Sequence, residues 1–178
     1  MTGREINMEH TIPLQTISTA WMDALKASTR IQEYCKSHYG RSPVLINGGN
    51  PREAPDGDYC PYIVVMNGSK IEGDDQSVLS YTIGVGWVVK NNTIQVDGET
   101  KTNAYYPDAH EIILNGAVEC DELGQIIYEE LQEFAAGRDW PISRIDYDVT
   151  PSATYPQFTG TMICITEIAP SMGEELTY

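Results

Sequence analysis

Basic residues are scarce in this sequence: eleven lysines and arginines stand against twenty-six aspartates and glutamates. The eleven are scattered singly, so no basic stripe exists to neutralise a phosphate backbone, and sequence-specific nucleic-acid binding is not expected. An acidic chain is equally ill-suited to an anionic membrane surface. No run approaches the roughly 20 apolar residues that a bilayer-spanning helix needs, so no membrane partner is expected either. Cysteine is limited to Cys35, Cys60, Cys120 and Cys164, far apart, with no C-x-x-C pair and no Cys/His cluster, so zinc is not expected. No secretory signal pattern precedes them, so the thiols are expected reduced and largely buried, with a two-disulfide secreted form as the alternative. Asn67-Gly68-Ser69 and Asn91-Asn92-Thr93 fit the glycosylation sequon but read as turn markers in that setting.

Catalytic motifs are missing too. There is no G-x-S-x-G, no G-x-x-x-x-G-K-[ST] and no G-x-G-x-x-G before a helix. His10, His38 and His110 are isolated. His110, beside Asp108 and Glu111, is the sole local His–carboxylate grouping, and it reads as structural or exposed rather than as a general base. Glu129 and Glu133 lie four apart on one helical face, but no third group accompanies them, so a solvated face explains them better than paired acid–base catalysis. Glu72, Asp74 and Asp75 form an acidic loop that lacks the twelve-residue calcium pattern with its terminal Glu. The expectation is a non-enzyme with no cofactor and no metal.

What is present is periodic. Hydrophobic residues make up 41% of 178, with mean hydropathy −0.32, and they come in ordered runs that fit one globular domain. The net charge of −15 is unevenly placed: residues 1–70 balance seven basic against seven acidic side chains, whereas residues 71–178 hold four and nineteen. Tyrosine outnumbers phenylalanine eleven to two, and an aromatic ring with a polar tip suits interfaces.

Residues 77–89 carry the clearest signal. Leu79, Tyr81, Ile83, Val85, Trp87 and Val89 make a row of large apolar side chains; Val78, Ser80, Thr82, Gly84, Gly86 and Val88 make a row of mostly small ones. Side chains alternate across a strand, so this predicts one long strand with two unlike faces. The large row needs a cover of helices. The small row would admit a neighbouring backbone, which makes Ser80, Thr82, Gly84 and Gly86 the candidate subunit interface.

Around this strand the chain divides into an arm (1–17), one domain (18–170) and a mobile tail (171–178). Thr19 caps a first helix over 20–39, whose stripe includes Trp21, Leu25, Ser28, Ile31, Cys35 and Tyr39, and Gly40 ends it. Residues 44–46 read as a short strand, 47–58 as a loop, and 62–66 as a strand covered on both faces and broken by Asn67-Gly68. Asn91-Asn92 predicts a hairpin turn into a strand at 93–96, Asp97-Gly98 a second turn, and 101–106 a returning strand. Residues 110–114 fit a helix start or a short strand; with Gly116 interrupting them, the extended reading is preferred. Asp121 caps a second helix over 122–136, ended by Gly137. Strands at 142–149 and 158–168 close the domain, with Gly160 a bulge or close-approach point. The fold class is α+β: a mostly antiparallel sheet, in the order helix, strand meander, helix, two strands, with both helices on one face.

A leading helix, a long-stranded meander with a projecting hairpin, the helix DELGQIIYEELQEF and two closing strands together resemble the phage tail terminator, or tail completion, family. The resemblance spans residues 18–170 and is one of topology and acidic composition. It implies a non-enzymatic virion-assembly protein, a homo-oligomer of six copies in a ring that caps the tail tube, meets the head connector and contacts other tail proteins. Such a protein resides in the virion tail, or in the host cytoplasm during assembly. Acidic walls would repel passing DNA. The alternative is a small enzyme or ligand-binding domain of unknown substrate, which predicts a deep pocket holding polar groups with shifted pKa values.

Overall fold

The two-faced strand forms where the alternation puts it, as the middle strand of five. In chain order the elements are α1 (Leu14–Ala27), α2 (Thr29–Tyr39), β1 (Val44–Asn47), a single 3-10 turn (Gly57–Tyr59), β2 (Tyr62–Ile71), β3 (Leu79–Lys90), β4 (Thr93–Val96), β5 (Glu99–Thr102), β6 (Ile112–Leu114), α3 (Asn115–Ala136), β7 (Ile142–Thr150) and β8 (Gln157–Ile168). This computed structural model describes residues 12–48, 57–71, 79–102, 106–138, 140–150 and 155–168. Residues 1–11 of the arm, most of the 47–58 loop, the acidic trio Glu72, Asp74 and Asp75, and the tail 171–178 lie outside the described residues.

The main sheet has the order β1-β2-β3-β8-β7. β1 and β2 are parallel; every other pair in it is antiparallel. A second sheet of three strands, in the order β5-β4-β6, stands apart. The class is α+β. One continuous core lies between the main sheet and the helices, and includes Trp21 and Leu25 of α1, Ile31 and Cys35 of α2, and Leu123, Ile127 and Leu131 of α3.

Several expected boundaries move. The first helix is two helices that begin earlier, at Leu14, and break at Ser28. Thr19 is therefore inside a helix. Ser28 takes an extended conformation, and its hydroxyl accepts the Ile31 amide at 3.2 Å, supplying a cap that α2 otherwise lacks. Gly40 ends α2 with a left-handed φ of 70°, as a C-terminal glycine should. β2 does not stop at Asn67-Gly68 but bulges there and continues, and the bulge calls for glycine, since a Cβ on Gly68 would lie 2.7 Å from the Thr82 carbonyl oxygen.

Asn91-Asn92 is not a hairpin turn. β4 leaves the main sheet and pairs with β5 and β6. Asn91 shapes that corner: its side-chain oxygen accepts the Thr93 amide and hydroxyl, each at 2.8 Å, and its amide donates to Glu119 at 2.8 Å. The true two-residue hairpin is at Asp97-Gly98, where φ is 50° and 85°. α3 starts at Asn115, well before Asp121, and takes in both Gly116 and Gly124. Their lack of a side chain is the reason: a Cβ at Gly116 would sit 2.2 Å from the Phe158 ring, and one at Gly124 2.3 Å from Trp87. The helix lies that close to the sheet.

Candidate interaction surface

The covered face of the main sheet is built around Trp87. Tyr81, Ile83, Val85, Trp87 and Val89 are fully buried, together with Ile63, Val65, Met162 and Cys164 of the neighbouring strands. Trp87 Nε1 donates to the Cys120 carbonyl at 2.8 Å, which satisfies the indole inside the core. Its ring lies against the Cα of Gly160, directly across in β8, where a Cβ would come within 2.0 Å. Gly160 is thus a close-approach point rather than a bulge; the β3–β8 register runs through it unshifted.

The opposite face carries the small row, and the register fixes what surrounds it. Gly84 lies between Met66 of β2 and Ile163 of β8, and Gly86 between Val64 and Thr161. Thr82 lies between Ser69 and Ile165, and Ser80 between Ile71 and Glu167. None of these side chains belongs to the core that the helices cover. Met66 is 37% exposed and Ile163 43%. All four sequence-derived candidates, Ser80, Thr82, Gly84 and Gly86, share this face. The two glycines are buried by strand neighbours, chiefly the Met66 side chain, whose Cε would lie 3.5 Å from a Cβ at Gly84. Ser80 and Thr82 are half-buried.

Met66 and Ile163 belong to this surface although the sequence pattern does not place them there. A run as apolar as 62–66 predicts a cover on both faces, yet Met66 is exposed; a continuous apolar run does not reveal which side lacks a cover. Beyond the apolar centre, the β7 edge is charged, with Arg144 Nε donating to Asp146 at 2.9 Å.

The acidic residues of α3 tie helices together. Arg30 of α2 pairs with Glu129 and with Glu130. Hydrogen bonds from Gln125 and Arg30 hold the Glu129 carboxyl below its ordinary range. Tyr34 donates to Glu122 at 2.8 Å and Tyr39 to Glu119 at 2.9 Å. Burial and these carboxylates push both phenols well up. Glu129 is thus engaged by a cation rather than poised as half of a carboxylate pair. The backbone amides of His110 and Glu111 both donate to Asp97, which fixes the corner before β6.

Two surface clefts of about 550 Å³ each bear on the enzyme alternative. One, between α1 and α3, is floored by Ala20, Ala24 and Phe134, with Glu130, Glu133 and Arg138 on its rim. The other is lined by His38, Tyr39, Cys60, Lys90, Asn91 and Thr93. Burial and the neighbouring Glu119 hold the Tyr39 phenol there in its neutral form, which makes it a poorer acid at ordinary pH. The thiols of Cys35, Cys120 and Cys164 are each pushed up to about 12 by burial, which keeps them as neutral packing groups. No disulfide joins the four cysteines. Among the described residues no three His, Cys, Asp or Glu side chains gather as a metal site, and no helix is long and apolar enough to cross a membrane.

No protein-family model matches this chain, and no curated protein matches it.

Proposed function

We propose that this chain is a structural, non-catalytic subunit of a phage tail, assembling as a ring that closes the tail tube and meets the head connector. The observation that supports this reading is the open face of the main sheet. Its centre is apolar and small, with Gly84 flanked by Met66 and Ile163 and Gly86 by Val64 and Thr161, and it stands outside the helix-covered core. Exposed contiguous apolar surface on a folded domain marks a contact with another chain. A ring requires a heterologous contact, one surface meeting a different one on the next copy, and a flat sheet face can serve as one half of such a pair. The acidic excess fits the same role, because a negatively charged wall does not hold DNA phosphate.

Size-exclusion chromatography with light scattering, followed by negative-stain microscopy, tests the reading. Ring-shaped particles with a mass of six chains or a whole multiple of six are the expected result. A single-chain mass over a broad concentration range overturns it.

A further inference from the structure

We infer that the β6 edge of the small sheet pairs with the β6 edge of a second copy, antiparallel across a twofold axis, joining two three-stranded sheets into one of six. β6 is an edge strand among the described residues, hydrogen-bonded to β4 alone. Asp97 N–H donates to the Glu111 carbonyl, so Glu111 and Ile113 turn their main-chain groups toward β4, while Ile112 and Leu114 turn theirs outward. Ile112, Ile113 and Leu114 are 49%, 39% and 38% exposed, and Val118, in the first turn of α3, is 45% exposed. Four of the nine exposed large apolar side chains thus fall within seven residues, making this the densest such patch described.

Two of the three other strand edges carry charge, and on the third, β1, Val44, Leu45 and Ile46 are half-buried, whereas this one is uncharged and exposed. β5 carries Glu99 and Lys101, paired at 2.7 Å, and β7 carries Arg144, Asp146 and Asp148. Residues 112–118 contain no charged side chain. That selects the occupant. A basic partner would be drawn to the acidic surfaces of a chain of charge −15 and would find nothing to hold here, whereas a second equally acidic copy can approach only where charge is absent. The register is self-complementary as well. Pairing centred on Ile113 sets Ile112 opposite the partner copy's Leu114 and joins the outward main-chain groups. This contact is twofold, so it is separate from the ring contact of the main sheet and does not depend on the tail reading.

Ile113→Cys in the full chain tests it. The Cα atoms of the two introduced cysteines would face each other in a non-hydrogen-bonded pair about 4.5 Å apart, within disulfide reach. Mild oxidation is expected to give a covalent dimer, while Thr100→Cys, on the opposite edge, and the unaltered chain do not. Ile113→Lys, at an exposed position that leaves the core intact, is expected to halve the light-scattering mass. Absence of the cross-link in Ile113→Cys, or equal masses for the unaltered chain and Ile113→Lys, overturns the proposal. The double variant Gly84→Val with Ile113→Cys separates the two contacts: loss of the ring with the cross-link retained supports a twofold contact that stands without the ring.

Discussion

The two faces of the main sheet use glycine in opposite ways. On the helix-covered face, Gly160 and Gly124 exist to admit Trp87: a methyl at either position would lie 2.0 or 2.3 Å from the indole. On the open face, Gly84 and Gly86 have room, with nothing nearer than 3.5 and 3.8 Å to a Cβ. Interiors are packed to crystal density, so glycine under a tryptophan is a requirement of the fold. Glycine on an open face is dispensable to the monomer; what it leaves is a shallow surface that another chain can meet. The same residue type is a packing requirement on one side and leaves an uncrowded surface on the other.

The comparison breaks first at Gly160. Gly160→Val drives a branched side chain into the Trp87 ring and should lower stability by about 3 kcal/mol or more, read from the denaturant midpoint. A variant within about 1 kcal/mol of the parent would show that the tryptophan can move, and the packing argument would fail.

A smaller effect comes from pH, and it too belongs to the covered side, since Cys35, Cys120 and Cys164 all lie in the core. Their thiols are raised from 9.0 to about 12, so the folded state favours the neutral form. A raised pKa contributes stability that is full below the unfolded value and is lost as pH climbs through the folded one. Stability should therefore decline between about pH 9 and pH 12, and Cys164→Ala should show a shallower decline than the parent in alkaline denaturation. Equal slopes would argue that the thiol ionises freely in the fold.

The smallest effect on the monomer is expected at Gly84. Gly84→Val meets only the flexible Met66 tip and the end of Ile163, and β-branching suits a strand, so thermal midpoints should shift by no more than the equivalent of about 1 kcal/mol. Its consequence should appear instead as a fall in assembled mass. If the monomer unfolds, the open face is internal to the fold and the ring reading loses its principal support.

Much of the candidate surface is legible in the alternation of residues 79–90. The membership of the rows follows from the two-residue period alone; Tyr81 to Val89 of the large row are fully buried, while in the small row Ser80 and Thr82 are half-buried, Gly84, Gly86 and Val88 are buried, and Val78 lies outside the described residues. Met66 and Ile163 are not legible as parts of it. They join Gly84 only through the β2–β3 and β3–β8 registers, which depend on partners far away in the chain. The helix break at Ser28 does carry a local signal: a serine at a buried stripe position, followed three residues later by the amide it caps, is an N-terminal pattern in the middle of a helical period.

Local pattern is enough for the two faces of β3, the apolar stripes of the helices, the left-handed stop at Gly40 and the tight turn at Asp97-Gly98. Each rests on neighbours within a few residues, where sterics and periodicity suffice. Long-range contacts settle that β4 quits the main sheet, that α3 runs on through Gly116, and that the described residues leave Met66 and Ile163 exposed on one sheet face. The physical reason is that these outcomes are set by contacts between distant residues. Trp87 needs Gly124 and Gly160, Phe158 needs Gly116, and no short-range pattern encodes the distances between them.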